Sequence, residues 1–195
     1  ERGAKIRLSF DEEGNNYFSA HSVKDNYTFE FNEKNNTLYI TTDNTSGGDA
    51  VDFCEYVVIK FPENSVDADG TMIQSDDDAF CGKKISGEDT AIHIKLKEKI
   101  TEISLATSYI SFQQAEITLA AEVESKSFDE IKSDAENLWE SYLSKVEIEP
   151  TDEKQMKTFY SCMYRAFLYP HKWKFYFFQI NRFFILIFVI SINPF

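Results

Sequence analysis

Ser127 to Pro170 reads SFDEIKSDAENLWESYLSKVEIEPTDEKQMKTFYSCMYRAFLYP. The order of residue types predicts two amphipathic helices joined by a short extended link. Ser127 stands where a helix cap belongs, and Glu130 follows at the reciprocal capping-box position. Phe128, Ile131, Ala135, Leu138, Tyr142, Leu143 and Val146 recur at helical spacing and mark one stripe for burial. Glu147-Ile148-Glu149-Pro150 breaks the periodicity. Thr151 is placed to cap a second helix, with Asp152 and Glu153 favourable near its positive end. The second stripe is Met156, Phe159, Tyr160, Met163, Phe167 and Leu168, and Pro170 ends it.

Upstream, from residue 4 to about 110, the apolar period is two. Ile6, Leu8 and Phe10 alternate with polar neighbours. So do Tyr27, Phe29 and Phe31, then Leu38 and Ile40, then Ile92, Ile94 and Leu96. Tyr56 to Phe61 is a nearly continuous apolar run, which predicts a more buried strand. Turn-forming clusters separate these runs: Glu13-Gly14-Asn15-Asn16, Glu33 to Asn36, Ser46-Gly47-Gly48-Asp49, Asp67 to Gly70, and Ser86 to Asp89. Short strands at this spacing predict an antiparallel β-sandwich. Ser111 to Glu124 is mixed, with Ala115, Leu119, Ala120 and Ala121 suggesting a short helical piece. The fold class is therefore mainly β with C-terminal helices.

The formal net charge is -13. Residues 171–195 hold Lys172, Lys174 and Arg182 and no acid, so residues 1–170 carry -16. Such an acidic body repels a phosphate backbone, which argues against nucleic-acid binding. It is compatible with a neutral, sugar-like ligand or a cationic partner. Cys54, Cys81 and Cys162 form no CxxC spacing, and three cysteines give neither a disulfide framework nor a zinc site. The expectation is buried free thiols, with a Cys54–Cys81 bridge as the alternative. The chain begins at Glu1 with no Met and no charged-then-apolar leader, so either a signal was removed or the start is missing. Asn-x-Ser/Thr sequons at Asn26, Asn35 and Asn44 permit a secretory life without proving one.

After Trp173 the composition jumps. The uninterrupted apolar run Phe183 to Ile190 is far shorter than the ~20 residues a bilayer span needs. Extending it backwards meets Arg182, Asn181 and Gln179. The favoured reading is a tail that does not belong to the parent protein, ahead of a membrane anchor or a buried terminal strand. On a soluble product it would be a large exposed apolar patch and an aggregation hazard.

Other chemistry-bearing residues read as structural. Asp67-Ala68-Asp69-Gly70 and Asp76-Asp77-Asp78 invite a calcium site, but the sixth position of a loop starting at Asp67 is Met72 rather than the Gly an EF-hand needs. An acidic surface turn is expected. His21, His93 and His171 are scattered, and His93 should face solvent opposite Ile92 and Ile94. Glu136 and Glu140, like Asp129 and Ser133, mark the solvated face of the first helix. Trp139 is expected to pack between domains rather than stack on a sugar. Arg165 is expected to form a structural ion pair rather than touch substrate.

At the join, the residues resemble glycoside hydrolase family 92, the exo-acting α-mannosidases. That family closes a β-sandwich with a segment of the form S-x-x-S-x-x-x-A, and Ser108, Ser111 and Ala115 stand at that spacing. A helix with Trp139 and Leu143 follows, then a short strand with Val146 and Ile148. Phe159, Tyr160, Tyr164, Arg165 and Pro170 then match the form FYT-x-LYR-x-x-x-x-P. The resemblance runs from Ile103 to Pro170. Thr118 lies near the place where the family has an Asn, and His171-Lys172-Trp173 replaces an acidic, Gly-containing loop.

The resemblance implies a division of the chain. Residues 1–125 would be the later part of the N-terminal sandwich and 126–150 a connecting helix and link. Residues 151–170 would be the first helix of an incomplete (α/α) barrel, and 171–195 the apolar tail. It also implies inverting, calcium-assisted hydrolysis of mannose-containing glycans, and a secreted or extracytoplasmic location. The family's catalytic acid, base and calcium ligands lie in the helical domain, so no residue here takes a catalytic or metal role and the substrate-binding residues stay unknown. Calcium belongs to the parent family, and this chain is expected to supply scaffold without turnover. A non-catalytic carbohydrate-binding sandwich is the alternative.

Overall fold

The computed structural model describes residues 3–11, 16–23, 25–43, 53–76, 78–149, 152–168, 172–180 and 183–191. The chain divides into two compact units, Glu1–Lys132 and Ser133–Phe195.

The first unit is a sandwich of two antiparallel sheets. The six-stranded sheet has the order β1-β10-β5-β4-β3-β8. Its strands are β1 (Gly3–Ser9), β3 (Tyr27–Asn32), β4 (Thr37–Thr42), β5 (Glu55–Lys60), β8 (Lys84–Gly87) and β10 (Ile100–Ser108). The four-stranded sheet, ordered β2-β9-β6-β7, uses β2 (Asn16–His21), β6 (Val66–Ser75), β7 (Asp78–Cys81) and β9 (Thr90–Leu96). The period-two residues do what their spacing predicts. Phe29, Phe31, Leu38, Ile40 and Ile59 from one sheet meet Ile73, Ile92, Ile94 and Leu96 from the other in one buried cluster.

The run Tyr56 to Phe61 loses its alternation for a physical reason. Ile59 faces the inter-sheet core, while Val58 faces a second cluster with Ala106, Ala115, Leu119 and Val123. Both faces of β5 are covered, so neither side needs polar residues. The cover is α1 (Phe112–Leu119), which continues into a π-helical turn, Ala120–Glu124. Strand β1 passes so near this turn that a Cβ on Gly3 would run into the Val123 side chain. The Gly3 backbone N–H donates to Glu122 Oε2 at 3.0 Å.

Several turn and burial expectations are corrected. Asp67 to Gly70 is no turn: it lies inside β6, where the pairing with β9 shifts register between Asp67 and Met72. The extra residues form a bulge, and Lys95 bridges to Asp67 at 3.2 Å across it. Asn16 starts β2 and is buried, and Ser86 and Gly87 end β8. Ile6 is exposed because β1 is an edge strand, although Leu8 and Phe10 pack against the core. The turn at Ser46 to Asp49, residues 13–15 and Asn44 lie outside the described residues. The thiols are free but not buried, Cys54 being half-buried and Cys81 and Cys162 exposed.

The helices appear where the opening stretch places them. α2 spans Phe128–Leu143 and α3 spans Glu153–Leu168. The capping box is formed: the Ser127 N–H donates to Glu130 Oε2 at 2.7 Å and the Glu130 N–H donates to Ser127 Oγ at 3.2 Å. Ser127→Ala should therefore weaken α2 by about 1 kcal/mol, read as faster exchange of its first-turn amides; unchanged exchange would refute the role. The second cap is corrected. Asp152 Oδ1 accepts from the Gln155 N–H at 2.7 Å, while Thr151 lies outside the described residues.

The predicted burial of the helical stripes is not met. No residue of α2 is buried, and Leu138, Val146, Met156 and Tyr164 are exposed. A pair of helices covers only the seam between them, and these stripes are wider than one seam. Strands β11 (Lys172–Ile180) and β12 (Phe183–Ser191) form an antiparallel hairpin in which Lys172 pairs with Ser191 and Ile180 with Phe183. Among the described residues no helix is long and apolar enough to cross a membrane.

Candidate functional site

The residues that carried the resemblance have distinct local duties. Ser108 is buried, and its Oγ accepts from the Ile110 N–H at 3.0 Å, turning the chain out of β10. Ser111 caps α1, accepting from the Gln114 N–H at 3.1 Å. Ala115 lies in the cluster with Val58 and Ala106, where it is fully buried. The S-x-x-S-x-x-x-A spacing is therefore a strand exit, a helix cap and a close-packing position in sequence. Thr118 donates its hydroxyl to the Gln114 carbonyl at 2.9 Å, within the helix.

Tyr39 anchors the same helix from β4. Its hydroxyl donates to Glu116 Oε1 at 2.7 Å, and its ring meets Phe112 edge to face at 5.1 Å. Burial, then Glu116, pushes the Tyr39 hydroxyl above its ordinary value.

The start of α2 is held against β1 by charge. Arg7 bridges to Glu102 at 2.7 Å and to Asp129 at 2.9 Å, and its guanidinium sits 4.3 Å over the Phe128 ring. The hydrogen bond from Arg7 holds the Asp129 carboxyl below the ordinary carboxylate range. A carboxylate depressed in the folded state contributes stability above its unfolded pKa, and loses it as pH falls through the folded value. Acidification below pH ~4 should therefore loosen the first turn of α2, seen as faster amide exchange. Arg7→Gln should abolish that pH response, and an unchanged response would refute the assignment.

Beside this clamp lies a groove of about 720 Å³ lined in part by Lys5, Lys60, Glu102, Ser104 and Glu124. Its Glu124 is paired with Lys60 at 2.5 Å, and Glu102 is held by Arg7. Glu63 lines the same groove.

Within the second unit, Trp139 lies 4.5 Å from the Tyr164 ring, and Tyr142 5.9 Å from Phe167. The Tyr160 hydroxyl donates to the Val146 carbonyl at 3.1 Å, tying α3 to the link after α2. These aromatics make a helix–helix seam. A recess of about 620 Å³ beside it is lined by Leu143, Met156, Lys157, Tyr160, Ser161, Tyr164 and Arg165. Arg165 is exposed. Glu136 and Glu140 are exposed, as their helix face predicts. Pro170 and His171 lie outside the described residues.

His93 does project from the face opposite Ile92 and Ile94, yet it is only half exposed and is held by Ser19 and Gln74. Burial, then His21, lowers its pKa. Sequence reading missed this cluster because its members come from three strands whose register the sequence alone does not reveal. Among the described residues no three His, Cys, Asp or Glu side chains gather as a metal site.

Residues 114–180 match the family model described as the glycosyl hydrolase family 92 catalytic domain. No curated protein matches the chain in sequence. Among solved structures, a family GH92 inverting mannosidase from Bacteroides thetaiotaomicron is similar at 23% identity with a TM-score of 0.79, over 98% of this chain and 27% of that one. A family GH92 α-mannosidase from the same organism is similar at 18% identity with a TM-score of 0.68, over 92% of this chain and 25% of that one. It has also been solved in complex with mannoimidazole. This chain therefore spans about a quarter of the length of the structures it matches. Residues 114–180 thus resemble the glycosyl hydrolase family 92 catalytic domain in sequence, and the chain shares the fold of these family GH92 mannosidases.

Proposed function

We propose that this chain is the scaffold portion of an exo-acting α-mannosidase. In this reading residues 1–125 support, and 126–150 connect to, a helical catalytic domain that begins with α3. The catalytic acid and base belong to that domain, where a protonated carboxyl donates to the leaving oxygen while a carboxylate activates water from the opposite face. Calcium, if the parent enzyme uses it, would be held there as well. The observation that carries the reading is the overlap of the two likenesses: the family model begins within α1, and the fold of two mannosidases continues back through the whole sandwich.

The test compares two polypeptides on an α-linked mannoside. A longer product that continues through the helical domain should release mannose with inverted anomeric configuration, seen as β-mannose first by NMR, and should lose activity to a calcium chelator. This chain alone should release none. Turnover by this chain alone, or retention of configuration by the longer one, overturns the proposal. Saturable mannoside binding by this chain in calorimetry, without turnover of the longer product, would favour a carbohydrate-binding sandwich instead.

A further inference from the structure

The outward face of the four-stranded sheet carries a cluster that the scaffold role leaves unused. β2 and β9 pair so that Ser19 lies opposite His93 and His21 opposite Ala91. Directly paired residues and their i+2 neighbours share one face of a sheet, so Ser19, His21 and His93 project together. The His21 and His93 rings stand 5.4 Å apart, centroid to centroid, at 75°. From β6, on the other side of β9, Gln74 Oε1 lies 3.0 Å from His93 Nε2.

An amide oxygen only accepts, so the proton sits on Nε2 and Nδ1 keeps its lone pair. The Ser19 hydroxyl donates to that lone pair at 2.8 Å. His93 is thus fixed in one tautomer, with its unprotonated nitrogen turned toward Ser19 and away from Gln74. Metal-bound histidines are oriented in this way, by an acceptor on the ring nitrogen that does not touch the ion.

The spacing fits as well. An imidazole nitrogen sits about 2.0–2.1 Å from zinc, which puts the ring centroid roughly 3.2 Å away and two tetrahedrally arranged rings roughly 5.2 Å apart. The observed 5.4 Å is close to that. We propose that His21 and His93 form a binding site for a divalent transition-metal ion of the zinc and copper class. The ion is bound through His93 Nδ1 and one ring nitrogen of His21. The Ser19 hydroxyl gives up its bond to Nδ1 when the ion arrives, and water fills the remaining positions. Imidazole donors disfavour calcium, so the site is independent of any metal used in hydrolysis.

Calorimetric titration of the full chain with zinc chloride at neutral pH tests the proposal, with the exposed thiols alkylated so that Cys81 and Cys162 cannot compete. The expected result is saturable binding of one ion per chain. His21→Gln should weaken it by about ten-fold or more while leaving the Ser19–His93–Gln74 contacts and the circular dichroism intact. Gln74→Leu keeps both imidazoles and removes only the orienting acceptor, and should cost about ten-fold. It serves as the second variant should His21→Gln fail to fold. No saturable heat, wild-type affinity in His21→Gln or Gln74→Leu, or loss of binding on alkylation overturns the proposal.

Discussion

Phe29→Ala should lower the unfolding free energy of the sandwich by about 3–5 kcal/mol, the largest single effect expected in the molecule. Phe29 is 1% exposed. It pairs with Ile40 of β4 on one side and Ile85 of β8 on the other, and its ring stacks on Tyr27 at 5.7 Å. Truncation removes the buried ring from the inter-sheet core, and the surrounding strands, tied by their ladders, close the space only in part. A domain of this kind has about 5–15 kcal/mol in hand, so the loss is a large share of the whole. Urea unfolding followed by circular dichroism reads it directly. Phe29→Leu, which refills much of the volume, should cost less. A shift below about 1 kcal/mol for Phe29→Ala would mean that the two sheets do not share the core described here.

Leu119→Ala should cost about 2–5 kcal/mol, and its effect should be confined to the other face of the six-stranded sheet. Leu119 is 2% exposed and packs with Val58, Ala106, Ala115 and Val123. It is the larger of the two buried residues of α1, Ala115 and Leu119. Amide exchange in the middle of β5 and β10 should quicken in this variant, because those strands lose their outer cover. Ile117→Ala, two residues away on the same helix but 55% exposed, should stay within about 0.5 kcal/mol of wild type. Equal effects from the two positions would show that α1 does not dock through the Ala115–Leu119 side.

The sequence alone determined the alternation that makes Phe29, Leu38, Ile40, Ile92 and Ile94 core residues, because a strand sends successive side chains to opposite faces and each needs one environment. It also determined the start of α2, since the Ser127–Glu130 box satisfies backbone donors within four residues. The ordered spacing from Ser108 to Arg165 was enough to point to the family.

What only the tertiary structure decided is everything that depends on strands meeting across long separations. Asp67 to Gly70 has the composition of a turn, yet pairing with β9 makes it a bulge pinned by Lys95. Arg7 and Asp129 meet only after β1 lies beside the start of α2. Ser19, Gln74 and His93 form one hydrogen-bonded chain because β2, β9 and β6 are neighbours. Local periodicity reports which face a residue takes; register, set by contacts far apart in the chain, decides which side chain it finds there.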